Sequence, residues 1–138
     1  MCGIAGIIYR DGAQDIGRDM TRMLQSMKHR GPDSTGYALY GPKGAGVLVR
    51  YKLADSNSPR DFDYLDRLGR HQAEVQSRME SLGAKVLFSH AETEYAYRVT
   101  LEYDGDLKRL VDDVEAAREA EVLSIGHSLE IIKDLGDA

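Results

Sequence analysis

The chain opens "MCGIAGIIYR". Residues 2 to 9 form a short apolar run bounded by the turn-like "RDG", the pattern of a buried strand. Gly3, Ala5 and Gly6 leave little side-chain bulk, so other backbone can approach closely there. A strand that begins at the terminus must fix that terminus inside the fold. The only cysteine of the chain, Cys2, is thereby carried to a defined place. Cysteine is often no more than a small buried hydrophobe. At position 2 it has a second capacity. If Met1 is removed, the thiol and a free α-amine lie on one residue. With an unperturbed pKa of about 7.7–8.0 the amine can accept the thiol proton and return it to a leaving group.

The remaining sequence alternates helical and strand-like periods. Ile16, Met20, Met23, Leu24 and Met27 predict an amphipathic helix whose last turn holds Lys28, His29 and Arg30, stopped by Gly31 and Pro32. "STGYALYG" and "GVLVRYKLA" read as strands, with "GPKGAG" as their hairpin connection. No Gly-Lys-Ser/Thr follows those glycines, so they form no phosphate loop. After the linker-like "DSNSPRD", Phe62, Leu65, Leu68, Val75, Met79 and Leu82 mark a second helix ending at Gly83. "KVLFSHAETEYAYRVTLEY" reads as two strands joined near Ala91 to Glu94. A third helix begins at Asp104, with Leu107, Leu110, Val111 and Val114 on one face. "EVLSIG" is a further strand, and "HSLEIIKDLGDA" fits either a strand or a short helix.

At 138 residues the chain fits one modest domain or a piece of a larger one. Its net charge of -5 argues against a nucleic-acid partner, because phosphate contact needs a positive surface. No apolar run approaches the roughly 20 residues needed to span a bilayer, so no membrane partner is expected. A lone cysteine cannot form an internal disulfide, which makes a reducing, cytoplasmic location the default. His71 and His90 are isolated, and without a cysteine or histidine cluster no metal site is expected.

"MCGIAGII", followed about twenty residues later by "HRGPDSTG", resembles the class II glutamine amidotransferases, the N-terminal-nucleophile glutaminases. The likeness is sharpest over residues 1–41. "YRVTLEYDGDL" and "VLSIGHSLEIIKDLG" are similar to amidotransferase proteins of glutamate-synthase type. The resemblance implies an α+β fold, the first part of a four-layer αββα sandwich. Residues 1–54 would start the amidotransferase domain, 55–120 form an inserted helix–strand–strand–helix subdomain, and 121–138 return to the domain. It implies that Cys2 attacks the side-chain amide of glutamine and that ammonia passes to a synthase domain or subunit. No cofactor is called for. Arg30, Gly31 and Asp33 would belong to the loop beside the nucleophile, where Arg30 and Asp33 can form an orienting charged pair or serve as a helix-end cation and a turn carboxylate.

Two features of the family pattern are missing from this sequence. Asn57 is followed by Ser58, so the Asn-Gly pair of the oxyanion hole is absent. "GHS" at Gly126 to Ser128 leads to Leu129 where the family has an arginine. The expectation is that these features lie beyond Ala138; the alternative is a noncatalytic, amidotransferase-like binding or regulatory subunit.

Overall fold

A computed structural model describes residues 3–12, 15–30 and 33–136. The elements, in chain order, are α1 (Ile16–Ser26), a 3-10 turn (Lys28–Arg30), β1 (Ser34–Tyr40), β2 (Val47–Lys52), α2 (Tyr64–Ser81), β3 (Lys85–Ala91), β4 (Ala96–Glu102), α3 (Leu107–Glu115), β5 (Glu121–Gly126) and β6 (Leu129–Leu135). The fold is α+β, with three helices and two antiparallel sheets among the described residues. Two compact units divide the chain: residues 1–36 with 133–138, and residues 37–132.

In the first unit, the Asp15 carboxylate caps α1 by accepting from the Arg18 N–H at 3.3 Å. The expected stripe of Ile16, Met20, Met23, Leu24 and Met27 is half-buried and none of it is fully buried. Lys28, His29 and Arg30 tighten into the 3-10 turn instead of continuing the α-helix, a common way to close a helix end. The expectation of a strand over residues 2–9 is corrected for residues 3–9, which make no ladder with any described strand; Cys2 lies outside the described residues. Ile4 and Ile8 are 93% and 90% exposed. Apolar composition alone cannot make a strand, because its N–H and C=O groups need a paired neighbour. Gly136 N–H donates to the Asp33 carbonyl at 3.1 Å, and Thr35 Oγ1 donates to the Gly136 carbonyl at 2.9 Å.

The second unit is built on the order β2-α2-β3-β4-α3-β5. Its strands lie side by side as β3-β4-β2-β5, each antiparallel to its neighbour. This is the split βαβ, or ferredoxin-like, arrangement. Alternation along the strands decides what the helices cover. Val47, Val49 and Tyr51 of β2 pair in register with Leu101, Val99 and Tyr97 of β4, and all six are buried. The Tyr51 and Tyr97 rings stack with centroids 5.2 Å apart. Leu68, Val75 and Met79 of α2 and Leu110 and Val114 of α3 complete the same core. Each such side chain contributes about 1.5–3 kcal/mol when fully buried.

The ends of these helices follow from sequence. Asp106 caps α3, its carboxylate accepting from the Lys108 and Arg109 N–H groups at 2.7 and 3.1 Å. At the other end of α2, Gly83 adopts φ +84°, its N–H donates to the Glu80 carbonyl, and the Ala84 N–H donates to the Met79 carbonyl. That pair of bonds is a Schellman stop, and glycine is the residue that takes the left-handed position without strain.

Two expectations change here, and one reading left open between strand and helix is resolved. The first is the hairpin between β1 and β2. β1 instead pairs with β6, while β2 lies between β4 and β5 in the other sheet. The "GPKGAG" segment therefore connects two sheets; within it Gly41 and Gly44 donate to the Ser128 and His127 carbonyls, each at 2.9 Å. The second is the phase of α2. Its buried face is Tyr64, Leu68, His71, Val75 and Met79, whereas Phe62 and Leu65 are exposed. The reading left open is the tail, which forms strand β6. Residues 55–120, expected as an inserted subdomain, supply α2, β3, β4 and α3 to a sheet completed by β2 and β5, so that the compact unit runs over residues 37–132.

Candidate active site

Cys2 and Gly31 lie outside the described residues, which begin one position later at Gly3 and resume at Asp33. Gly3 packs against the end of α1. A Cβ added to it would lie 3.3 Å from Arg30 Cβ and 3.5 Å from Met27 Cβ, so a larger side chain forces a neighbour to shift. The absence of bulk at position 3 is thus used for close approach between the chain start and the turn that opens "HRGPD". Further along, the Tyr9 hydroxyl donates to the Asp19 carboxylate of α1. That bond raises the phenol pKa above its ordinary value.

Arg30 closes the 3-10 turn with its N–H on the Met27 carbonyl at 2.8 Å, and its side chain is exposed. Asp33 is held through its backbone carbonyl, by Gly136. The ion pairs among the described residues do not include one between Arg30 and Asp33. His127, of the "GHS" triplet, is engaged structurally: its Nδ1 lies 3.0 Å from the Gly46 carbonyl. Among the described residues no group of three or more His, Cys, Asp or Glu is placed to hold a metal ion. No helix among them is long and apolar enough to cross a membrane.

The second unit contains a charged constellation that sequence reading missed. Arg50 lies on the strand face opposite Val49 and Tyr51, and its register partner on β4 is Arg98. Both arginines converge on Glu130. Arg50 Nε and Arg98 Nε donate to Glu130 Oε2 at 2.8 and 2.7 Å, and Arg98 Nη2 donates to Oε1 at 3.1 Å. Arg50 also pairs with Glu92. The signal was present as the alternation of apolar and basic residues in "VLVRYK"; the carboxylate arriving 80 positions later was not readable.

The Arg98 hydrogen bonds hold the Glu130 carboxyl below the usual carboxylate range, against an opposing effect of burial, with Arg50 adding to the lowering. A group with a depressed folded-state pKa contributes stability at pH above its unfolded value, about 4.3. The contribution is lost as pH falls through the lower folded value. Glu130→Gln is expected to cost about 2–3 kcal/mol at neutral pH, since it leaves Arg98 without its anion. The deficit relative to the parent should shrink below about pH 4. Urea unfolding at neutral and acid pH measures both.

Lys52 forms the neighbouring cluster. Its side chain is 9% exposed and pairs with Asp55 and, at 3.1 Å, with Glu121. Burial alone lowers the ammonium pKa, but the two carboxylates outweigh it and raise the value. His71, expected as a surface or packing residue, is buried in α2 with Nδ1 3.4 Å from Glu119 Oε2. His90 is exposed on β3 and stacks on Phe88.

No protein-family profile matches the chain, and no solved structure does. Curated proteins do. Over 139 aligned residues the chain is 37% identical to the "Putative glutamine amidotransferase" of Methanothermobacter thermautotrophicus, an alignment covering 99% of this chain and 44% of that protein. It is 30% identical to the glutamine amidotransferase-like protein GlxB of Rhizobium meliloti, over 99% of this chain and 42% of that protein. The chain therefore spans less than half the length of these relatives. Along nearly its whole length, this chain is related in sequence to glutamine amidotransferase-like proteins.

Proposed function

We propose that the chain is the N-terminal portion of a class II glutaminase of glutamate-synthase type, belonging to an αββα sandwich, with Cys2 as nucleophile. Once Met1 is removed, the α-amine takes the thiol proton and Sγ attacks the side-chain carbonyl carbon of glutamine. The C–N bond breaks as the amine returns the proton to the departing nitrogen, which leaves as ammonia. A Cys2 thioester remains; water cleaves it and glutamate departs. Ammonia then serves a synthase domain or subunit. A single cysteine suits the reducing cytoplasm in which a thiol nucleophile stays free.

The observation that carries this reading is the close packing of Gly3 against Met27 and Arg30. It brings the residue next to Cys2 onto the turn that opens the second motif. Similarity to two amidotransferase-like proteins across 99% of the chain supports it as well. The second reading, a noncatalytic binding or regulatory module, draws on the missing Asn-Gly pair and on Leu129 in place of the arginine. An oxyanion donor is typically worth about 10²–10³ in turnover, so a chain without one would be a poor catalyst.

The mechanism requires a free α-amine on Cys2. Intact-mass measurement of the active protein from its native cell is expected to show Met1 absent. Full activity from a species that retains Met1 quantitatively would rule out the amine as base.

A further inference from the structure

The cluster around Lys52 opens onto a cleft of about 320 Å³ in the second unit. Its walls carry both signs of charge. Lys52 is nine-tenths buried, and of the three donors on its ammonium Asp55 and Glu121 take two. Arg67 binds Asp61 and Asp63 through Nη1 alone, each at 3.1 Å, while its guanidinium sits over the Tyr64 ring. Its Nε and Nη2 donate none of the described hydrogen bonds. Tyr64 lines the same cleft, is 4% exposed, and its buried hydroxyl has no partner. The Glu119 and Glu121 carboxylates share the lining and are 46% and 52% exposed, so reachable from solvent; Glu121 holds Lys52 at 3.1 Å, and Glu119 lies 3.4 Å from His71 Nδ1.

We propose that this cleft is a binding site for a free α-amino acid. Its carboxylate would be taken by the remaining donors of Lys52 and Arg67, and its ammonium by Glu119 and Glu121. A simple anion would meet the carboxylates, and a simple amine would meet the two cations. A small zwitterion satisfies both sets, and the cleft volume lies at the low end for small-molecule sites. The argument for this site uses none of the residues of the glutaminase reading, so it does not rest on that reading; the cleft would serve as an effector site or a second substrate site.

The test uses the full chain carrying Cys2→Ala, which silences turnover, and omits glutamine and glutamate. Amide ¹H–¹⁵N spectra are recorded with glycine, L-alanine, L-serine and L-aspartate, each up to about 10 mM, a range that detects millimolar binding. Acetate and methylammonium serve as controls. The expected result is saturable movement of the amides near Lys52, Asp55, Glu119 and Glu121 with at least one amino acid and with neither control. Binding should weaken about tenfold in Glu119→Gln and in Arg67→Gln, the loss of one charge-assisted contact. Glu119 is exposed enough for its variant to fold, and the spectrum itself reports that. Absence of movement with every amino acid would overturn the proposal. So would equal movement with acetate or methylammonium, or unchanged affinity in both variants.

Discussion

Cys2→Ala in the intact protein is expected to reduce glutamine hydrolysis by several orders of magnitude, to the background of the assay. Removing a covalent nucleophile removes the thioester route, and the remaining binding groups have no internal nucleophile to position. Any synthase activity measured with free ammonia should survive, because that step does not pass through the thiol. Cys2→Ser is the informative companion. It keeps a hydroxyl next to the α-amine, yet should remain far slower than the parent, since serine is the weaker nucleophile near neutral pH. Glutamate release from glutamine, followed alongside product formation from ammonium, measures both effects. Near-parental hydrolysis by Cys2→Ala would return the cysteine to a packing role.

The largest stability effect is expected at Leu101. It is 0% exposed on the inner strand β4, opposite Val47 and Val86. Leu101→Ala removes its burial and leaves a cavity between sheet and helices that the paired strands cannot collapse into. A loss of about 2–5 kcal/mol follows. Leu87, on edge strand β3, is 53% exposed, and Leu87→Ala should stay within about 0.5 kcal/mol. Urea midpoints of the two variants against the parent decide between them. Equal losses at both positions would mean that the packing described for β4 is wrong.

The two leucines show what was legible before the structure. Strand and helix positions in the second unit followed from local periods: the alternation that buries Val47, Val49 and Tyr51 is written in "VLVRYK", and Gly83 stops α2 at the expected place. Partner choice was not legible. β1 and β2 are near neighbours in sequence and read as a hairpin, yet the register of β2 is set by β4 and β5, whose apolar faces arrive some fifty to seventy-five residues later. The phase of α2 was misread at its start because Tyr64 and His71 were not counted as core. Both are amphipathic, and both carry a polar atom into the interior: the Tyr64 hydroxyl makes no hydrogen bond, and His71 Nδ1 has the Glu119 carboxylate 3.4 Å away.

The candidate site divides in the same way. Cys2 and the "HRGPD" segment stand out in the sequence because each motif is a run of adjacent residues, and Cys2 and Gly31 lie outside the described residues. The Arg50–Glu130–Arg98 cluster does not stand out there, since it depends on β6 placing one carboxylate over two arginines that are register partners. Nor does the cleft beside Lys52, whose walls come from the end of β2, the start of α2 and the segment leading into β5.

The central claim is that Cys2 forms a covalent glutamyl intermediate. Its most direct measurement is mass spectrometry of the intact protein, quenched in acid during turnover with glutamine and then mapped by proteolysis. The account predicts a glutamyl thioester on the N-terminal peptide, attached at Cys2 with Met1 absent, and no adduct in Cys2→Ala. Hydrolysis of glutamine that proceeds with Cys2 unmodified, or an adduct that persists in Cys2→Ala, would contradict it.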